Sequence, residues 1–367
     1  IVANYTGQIA RSDVPVSEQT VHEILQETPK SSVALTRMRR VPMSKKVRKQ
    51  PMLSALPIAY WVNGDTGLKQ TTTAAWKNIH ITAEELAVLV PIPNTLVDDA
   101  DIPLWPEVKP LVAEGIGLKI DQASLFGVDK PDSWPTAVIP GAIAAGNVVT
   151  EGTGKDLGVD VASAGRAIAK DGFSVNGFAS EPGLNWELIS LRDTNGQPIY
   201  HPAIAQGQPS TLYGYPLNEV NNGAWMDTIA KILAADWSKL AIGVRQDLTF
   251  DLFDQMVISD DAGKVVFNSA QQDSKVLRVV MRVGFAVANP STRLNPSEGS
   301  RYPAGVVTAK SSAWVKTTAF AKGAIILAGP AILQATTAGT SGNTAPTAPA
   351  KVGETVTDGT VVWTRIV

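Results

Sequence analysis

The segment GTGKDLG at residues 152–158 contains glycines and a lysine, the residue types of a phosphate-binding loop. In such a loop, backbone amides surround the phosphates, and a Ser or Thr after the lysine binds Mg²⁺. Here Asp156 follows Lys155, and the first glycine of the motif is missing at the required spacing. The sequence therefore predicts no nucleotide site at this segment, and no cofactor is expected.

Metal-binding and nucleophilic residues are scarce as well. The chain has no Cys, which excludes disulfides, thiolate metal sites and cysteine nucleophiles, and its three histidines are far apart: His22, His80 and His201. Neither the G-x-S-x-G nor the H-E-x-x-H motif occurs. The pairs Asp98–Asp99 and Asp260–Asp261 could serve acid–base catalysis, but adjacent acids in loops are usually solvated. These observations predict neither a metal centre nor an enzyme.

Charge is divided into two blocks. The basic block, residues 37–51 (RMRRVPMSKKVRKQP), has no acidic residue and contains Arg37, Arg39, Arg40, Lys45, Lys46, Arg48 and Lys49. The acidic block, residues 81–107, has no basic residue and contains Glu84, Glu85, Asp98, Asp99, Asp101 and Glu107. A net charge of −2 is too balanced for a dedicated nucleic-acid binder. Three interpretations remain open. Each block is a solvated face of the protein, or the two blocks pair with each other within one chain or between chains, or the basic block contacts nucleic acid.

A β-hairpin is predicted between the two blocks. The strand-like runs MLSALPIAYWV (52–62) and LKQTTTAAWKNIHI (68–81) flank the turn sequence NGDTG. An isolated two-stranded hairpin is marginally stable in water, and Tyr60, Trp61 and Trp76 present apolar surface that needs cover. We therefore expect the hairpin to lie on the body of its own chain or on a neighbouring copy.

Long elements position these blocks. A helix is predicted over residues 102–127, with Pro110 delaying or kinking it and Gly127 ending it. Its apolar stripe is expected at Leu104, Val108, Leu111, Gly115, Leu118 and Gln122, with Val112, Ile116 and Ala123 beside it. Strands are predicted over residues 244–252 and 275–288, the second with an apolar face and with Arg278 and Arg282 on the other. Such lengths favour a flat, extended body.

The composition changes near residue 301 to Ala, Gly, Thr, Val and Pro with few charges, which predicts a small β appendage. Its boundary is expected between Pro296 and Gly305. No apolar run reaches the roughly 18 residues that a membrane span needs, so no membrane partner is expected.

The order of the motifs resembles that of the major capsid proteins of tailed bacteriophages, which share the Hong Kong ninety-seven fold, an α+β fold. The resemblance covers about residues 12–296. It rests on five stretches in the same order: SDVPVSEQTVHEILQETPKSSVALTRMRRVPM; LPIAYWVNGDTGLKQTTTAAWKNIHITAEELAVLVPIPNTLVDDA with a helix ending in ASLFG; LISLRDTNGQPIY with TLYGYPL; LAIGVRQDLTFDLF; and LRVVMRVGFAVANPSTRL.

The resemblance implies the division of the chain. It implies an N-terminal arm (1–37), an extended hairpin loop (38–81), a peripheral domain with a spine helix (82–130), an axial domain (131–263), a return to the peripheral domain with the long strand (264–300) and the small β domain (301–367), similar to immunoglobulin-like or sugar-binding additions. In the family the hairpin lies across the adjacent subunit. The basic block with Tyr60, Trp61, Trp76 and the acidic Asp98, Asp99 and Asp101 is then an inter-subunit surface.

The resemblance also implies partners and location. The chain is expected to form homo-pentamers and homo-hexamers of an icosahedral shell around double-stranded DNA, without sequence-specific contact, and to meet a scaffold, a portal and a maturation protease. It would be part of the virion and assemble in the host cytoplasm. The alternative is a carbohydrate-binding or decoration protein of the virion surface.

One departure from the family concerns covalent crosslinking. Some members join subunits through an isopeptide bond between a hairpin Lys and an Asn, assisted by a Glu in the last long strand. Asp273 stands where the Asn would fall, and Val280 stands where the Glu would fall. Since valine cannot act as a base, no crosslink is expected by this route.

Overall fold

The structure is a computed structural model that describes residues 31–62, 69–99, 104–154, 156–190, 197, 210–260, 262–309, 314–328, 331–351 and 353–366. The predictions for the arm before residue 31, for the hairpin turn and for Asp101 lie outside these residues. Within them the chain combines two sheets, several helices and a smaller β unit, so the predicted α+β class is confirmed. No described helix is long and apolar enough to span a membrane.

The elements are as follows. The helices are α1 Val33–Arg37, α2 Asn94–Asp99, α3 Leu104–Asp121, α4 Val138–Ala144, α5 Leu157–Lys170 and α6 Leu184–Ser190. The strands of the two main sheets and of a short ribbon are β1 Arg39–Pro42, β2 Val47–Ala55, β3 Ala75–Pro93, β4 Val148–Thr150, β5 Gly177–Ser180, β6 Thr211–Leu212, β7 Tyr215–Glu219, β8 Ala230–Ala235, β9 Leu240–Phe253, β10 Val257–Ser259, β11 Val265–Asn268, β12 Ser274–Val287 and β13 Ala304–Thr308. The C-terminal strands are β14 Ala319–Phe320, β15 Ile325–Ala328, β16 Ala331–Thr337, β17 Gly339–Thr340, β18 Thr355–Asp358 and β19 Val361–Arg365.

The first main sheet has the strand order β1-β9-β12-β3-β2. Only β1 and β9 are parallel; the other neighbours are antiparallel. The 19-residue strand β3 has two partners, because its first part pairs with β2 to form the hairpin and its second part pairs with β12. The hairpin is therefore a continuation of the sheet itself.

Strand β12 has the two faces that its sequence predicts. Its apolar face enters the main core, where the buried side chains are Leu277, Val279, Met281, Val283 and Phe285. On the other face, Arg278 forms an ion pair with Asp251 at 2.9 Å, and Arg282 forms one with Glu85 at 2.7 Å. The neighbouring strands thus neutralise the two arginines, and β12 is the centre of the sheet.

Helix α3 and a single π-helical turn, Gln122–Phe126, form the spine, which ends at Gly127 in a left-handed conformation (φ 83°) as predicted. The structure corrects two expectations for this helix. The helix begins at Leu104, so Pro110 does not delay it. Its most deeply buried apolar side chains are Ile116, Ile120 and Ala123; of the expected stripe, Val108 and Leu118 pack partly buried against the core, whereas Leu111 is 45% exposed. The face that meets the core is set by packing against distant elements, which the apolar spacing of the helix alone does not fix.

The second main sheet has the strand order β4-β13-β8-β5-β7-β6. Strand β13 lies inside this sheet, parallel to β4 and antiparallel to β8. The boundary expected at residue 301 is therefore too early, since the C-terminal unit starts after Thr308. Likewise β9, expected in the axial segment 131–263, pairs in the first sheet. Both corrections arise from long-range strand pairing that local composition does not reveal.

The C-terminal unit buries its own aromatic core. Trp363 is fully buried, and Asp358 accepts hydrogen bonds from the indole nitrogens of Trp314 (2.7 Å) and Trp363 (3.1 Å). Ile332 belongs to the main core of the chain, and Ile366 packs against that core. The unit therefore rests on the rest of the molecule.

Candidate inter-subunit surface

The hairpin is paired over a shorter length than predicted. Strands β2 and β3 pair from Val47 opposite Thr82 to Ala55 opposite Ala75. The sequence prediction continued the strand to Val62, but residues 56–62 and 69–74 are not in strands. The paired part thus includes the end of the basic block, because Val47–Pro51 form the first half of β2.

A small apolar cluster fixes the base of the hairpin to the sheet. Val41, Met43, Ile81 and Ala83 pack on Ala241 and Ala286 of β9 and β12. Gly243 and Gly284 lie opposite each other on those two strands. A side chain on either glycine would overlap Ile81, so the missing Cβ atoms make room for the base. The apolar cluster that anchors the base of the hairpin is therefore formed by residues of one chain.

The aromatic residues of the hairpin are exposed. Trp61 is 99% exposed, Trp76 is 68% exposed, and Tyr60 and Ile58 are also largely in solvent. A solitary exposed aromatic residue is ordinary, but a group of them on one segment is typical of a contact surface. Among the residues that the structure describes, the body of the chain leaves these side chains uncovered.

The basic block forms an open groove between β1 and β2. Arg39, Arg40, Arg48 and Lys49 line this groove, which has a volume of about 450 Å³. The Arg39 guanidinium donates to Gln50 (3.1 Å), Arg40 donates to the Leu35 carbonyl (3.0 Å), and Arg48 donates to the Pro42 carbonyl. These bonds orient the cations without neutralising them. We name this feature the basic groove.

One ion pair joins the two charge blocks among the described residues, between Lys46 and Glu84 at 3.3 Å. The hydroxyl of Ser133 donates to Glu84 at 2.8 Å, and this bond, together with Lys46, holds the pKa of Glu84 below its ordinary value. Within the described part of the chain, the cations of the basic groove and Lys45 make no ion pair. Among the described residues, pairing within the chain therefore accounts for little of the basic block.

Asp98 and Asp99 are the last residues of α2, their side chains lie outside the described part of the chain, and Asp101 lies outside it altogether. Their contact with the basic block stays a prediction.

A buried carboxylate that sequence reasoning missed holds the start of the described chain. Asp121, at the end of α3, accepts hydrogen bonds from the Ser32 hydroxyl (2.7 Å), from the Val33 and Ala34 amides (3.1 and 2.8 Å) and from Asn222 (2.6 Å). Burial raises the pKa of Asp121, although these four donors oppose the shift. The signal in the sequence that could have revealed this site is Ser32, because a serine just before an apolar run is typical of a helix N-cap.

A second missed cluster lies around β8 of the second main sheet. Lys231 contacts Glu151 (2.7 Å) and Glu187 (2.8 Å), and Glu181 lies 4.0 Å away. Burial raises the pKa of Glu181 to about 7, while the charge of Lys231 acts in the opposite direction. No sequence motif indicates this cluster, because its four residues come from separate helices, strands and loops.

The two positions that depart from the crosslinking pattern are held by ordinary contacts. Val280 is buried between β3 and β9, opposite Ala87 and Thr249. Asp273 accepts a hydrogen bond from the Asn94 amide at 2.7 Å. The absence of a crosslink at these residues stays a prediction.

Comparison with known proteins places this geometry in a family. A model of the phage capsid family matches residues 13–292. The major capsid protein of Staphylococcus phage 80alpha is 22% identical over 282 residues, covering 76% of this chain and 83% of that protein. A solved structure from Microbacterium phage Oxtober96 is 34% identical with a TM-score of 0.72, covering 83% of this chain and 100% of that one.

A further solved structure, from Mycobacterium phage Cain, is 30% identical with a TM-score of 0.71, covering 83% of this chain and 99% of that one. The C-terminal unit lies beyond the residues that the family model matches. The predicted Hong Kong ninety-seven fold is confirmed by these structural matches. Since the family model spans well over half of the sequence, this chain belongs to the phage capsid family and is a structural component of the virion.

Proposed function

We propose that this chain is the major shell subunit, and that its hairpin fastens one copy to the next within pentamers and hexamers. The observation that carries the proposal is the construction of the hairpin, which is anchored at its base and exposes Trp61 and Trp76 beyond it. Burial of an aromatic side chain stabilises an interface by about 25 cal/mol per Å² of apolar area. A neighbouring copy is the partner that the shell always supplies.

The basic groove extends this interface. Its four cations are exposed, and they match the acidic block of a second copy, including Asp98, Asp99 and Asp101. Exposed pairs contribute only about 0.2–1 kcal/mol each, so the groove acts through several pairs repeated across the shell. Tyr60, Trp61 and Trp76 supply the apolar part of the contact, and the charges select its register.

The remaining roles follow from a shell of this kind. The subunit is structural rather than enzymatic, and it assembles in the host cytoplasm with a scaffold, a portal and a maturation protease. It encloses double-stranded DNA without reading its sequence, in keeping with the balanced net charge of −2. With Asp273 and Val280 in place of the crosslinking residues, subunits separate as single chains when particles are boiled in detergent.

The hairpin aromatics provide the test. Trp61→Ala and Trp76→Ala are combined in one variant, and Trp186→Ala is the matched control, because Trp186 is 74% exposed on α6 away from the hairpin. Electron microscopy with scaffold supplied should show shells for the wild type and the control, and at least a tenfold lower yield for the double variant. Unfolding temperatures should agree among all three. Normal shells from the double variant would contradict the proposal.

A further inference from the structure

The segment after β12, residues 289–301, touches both sides of the hairpin, and we name it the support loop. The Ser291 amide donates to the carbonyl of Leu53 at 2.9 Å. The Arg293 guanidinium donates to the carbonyl of Pro57 at 2.9 Å, just beyond the end of β2. On the opposite strand, Lys77 forms an ion pair with Glu298 at 2.8 Å. These three contacts lie around the last paired residues of the hairpin, since β2 and β3 pair as far as Ala55 opposite Ala75.

A buried arginine fixes the shape of the support loop. The side chain of Arg301 is among the largest fully buried ones in the described chain. Its guanidinium donates to the carbonyls of Pro290 (2.9 Å), Pro296 (2.6 Å) and Asn289 (2.9 Å), which closes the loop on itself. Three charge-assisted bonds to backbone carbonyls make an irregular segment stiff. The shape of the support loop is therefore fixed by its own contacts, so the loop can hold the hairpin in one direction.

The other end of the support loop is fixed beside α5 and the second main sheet. Asp171, which follows α5, accepts a hydrogen bond from the Thr292 hydroxyl at its carbonyl (2.7 Å). Its carboxylate accepts bonds from Asn295 (2.8 Å), from the Tyr302 amide (3.0 Å) and from Asn147 beside β4 (2.7 Å). Gly172 brings the backbone close enough for this, since a Cβ there would overlap Thr292. The support loop thus joins the hairpin to the second sheet.

We propose that the support loop sets the direction in which the hairpin leaves the body, with Arg293 and the Lys77–Glu298 pair as positioning residues. A two-stranded ribbon beyond the edge of a sheet has no third strand to orient it. Its direction therefore depends on the few contacts at the last paired residues. The inference rests on the proposed function, because direction matters only if the hairpin must reach a neighbouring copy.

The first test compares Arg293→Ala with Arg166→Ala, an exposed arginine on α5 that serves as the control. Hydrogen–deuterium exchange of the soluble chain is followed over residues 50–58 and over β12. In Arg293→Ala the backbone amides of residues 53–58 should exchange about fivefold to tenfold faster, and β12 should be unchanged. The control should match the wild type at both places. Equal exchange in Arg293→Ala and wild type would overturn the proposal.

The second test exchanges charges. Lys77→Glu and Glu298→Lys, each alone, should lower the yield of closed particles severalfold, and the double variant should restore it. The pair Lys119–Asp129 (3.2 Å), of similar exposure and remote from the support loop, is exchanged in the same way as the control. Yields that stay unchanged in both single variants, or a double variant that is not rescued, would overturn the proposal. A wild type that forms no particles would contradict the proposed function, while the exchange experiment would still decide on the support loop.

Discussion

The base of the hairpin and its distal part differ in what surrounds them. At the base, Ile81 and Met43 are buried against β9 and β12, over two glycines that leave space for them. Beyond Ala55 the same chain leaves the strand, and Trp61 lies almost entirely in solvent. The base is thus completed by its own chain, whereas the proposed function assigns the cover of the distal part to a neighbouring copy. Changes at the base should act on folding, and changes beyond it should act on assembly.

The largest effect is expected at the base, from Gly284→Ala. A Cβ at this position would overlap the backbone carbonyl of Thr82 and the side chain of Ile81, and the backbone of a central strand cannot move aside. Overpacking of this kind costs about 1–3 kcal/mol. The free energy of unfolding, measured by urea titration, should fall by that amount. Gly299→Ala is the control, since nothing lies near its Cβ position. Equal stability of the two variants would contradict the role given to this glycine.

The next effect is expected in the basic groove, where Arg39, Arg40, Arg48 and Lys49 are all changed to Glu. The cations are exposed, so the stability of the monomer should change little, whereas shell yield should fall strongly at low salt. Electrostatic contacts weaken with ionic strength, so wild-type assembly should decline between 0.05 and 0.5 M NaCl as an approximate range. The readouts are thermal unfolding and light scattering of assembling particles.

The control for the basic groove reverses four exposed cations elsewhere: Lys170, Arg245, Lys264 and Lys316. It imposes the same change of net charge without touching the groove. If both variants assemble equally poorly, net charge rather than the groove is responsible. If both assemble normally, the groove is not part of the interface.

The sequence predicted what depends on local pattern. Alternation along β12, the glycine that ends the spine and the existence of the hairpin are all readable in a window of a few residues, and the structure has them. The end of β2 at Ala55, the insertion of β13 into the second sheet and the buried face of α3 were missed. Each of these is decided by contact with residues far away in the chain, for which a single sequence carries no local signal.

In the candidate site as well, the features with a local sequence pattern were predicted and those set by distant contacts were missed. The basic block and the exposed aromatic residues were predicted because clustered charge and clustered tryptophans are visible in the composition, whereas the groove that the basic block lines was not. The hydrogen bonds of Asp121 and the contacts of the support loop were not predicted. Asp121 and Ser32 are 89 residues apart in the sequence, and Lys77 and Glu298 are 221 residues apart. Polar contacts between residues so far apart in the sequence can be recognised only in the folded structure.

Removal of the C-terminal unit should have a smaller effect on the body than a change at the base. Truncation after residue 309 retains β13 and therefore the second sheet, whereas a cut at Gly305 would remove most of that strand. Loss of Ile332 and Ile366 exposes a limited apolar area of the main core. The shortened chain should fold, and particles made from it should release DNA at a lower temperature. Unchanged release with reduced binding to glycans would instead favour a decorating role.

The smallest effect is expected from the Lys46–Glu84 ion pair, which joins the two charge blocks at the base. Because the Ser133 hydroxyl and Lys46 lower the pKa of Glu84 in the folded chain, the pair stabilises the fold above the unfolded pKa of about 4.3. That contribution disappears as the pH falls through the folded pKa. Glu84→Gln should therefore cost about 0.2–1 kcal/mol at pH 7 and close to nothing near pH 3.

Urea unfolding of Glu84→Gln and wild type at both pH values measures this difference, with Glu114→Gln on α3 as the control for loss of one carboxylate. A cost that persists at low pH would mean that Glu84 acts through its shape or through Ser133, and not through its charge. A cost well above 1 kcal/mol at pH 7 would mean that the base of the hairpin depends on electrostatics. In that case the division between a base held by apolar packing and a distal part held by a neighbour would need revision, because both parts would then respond to salt.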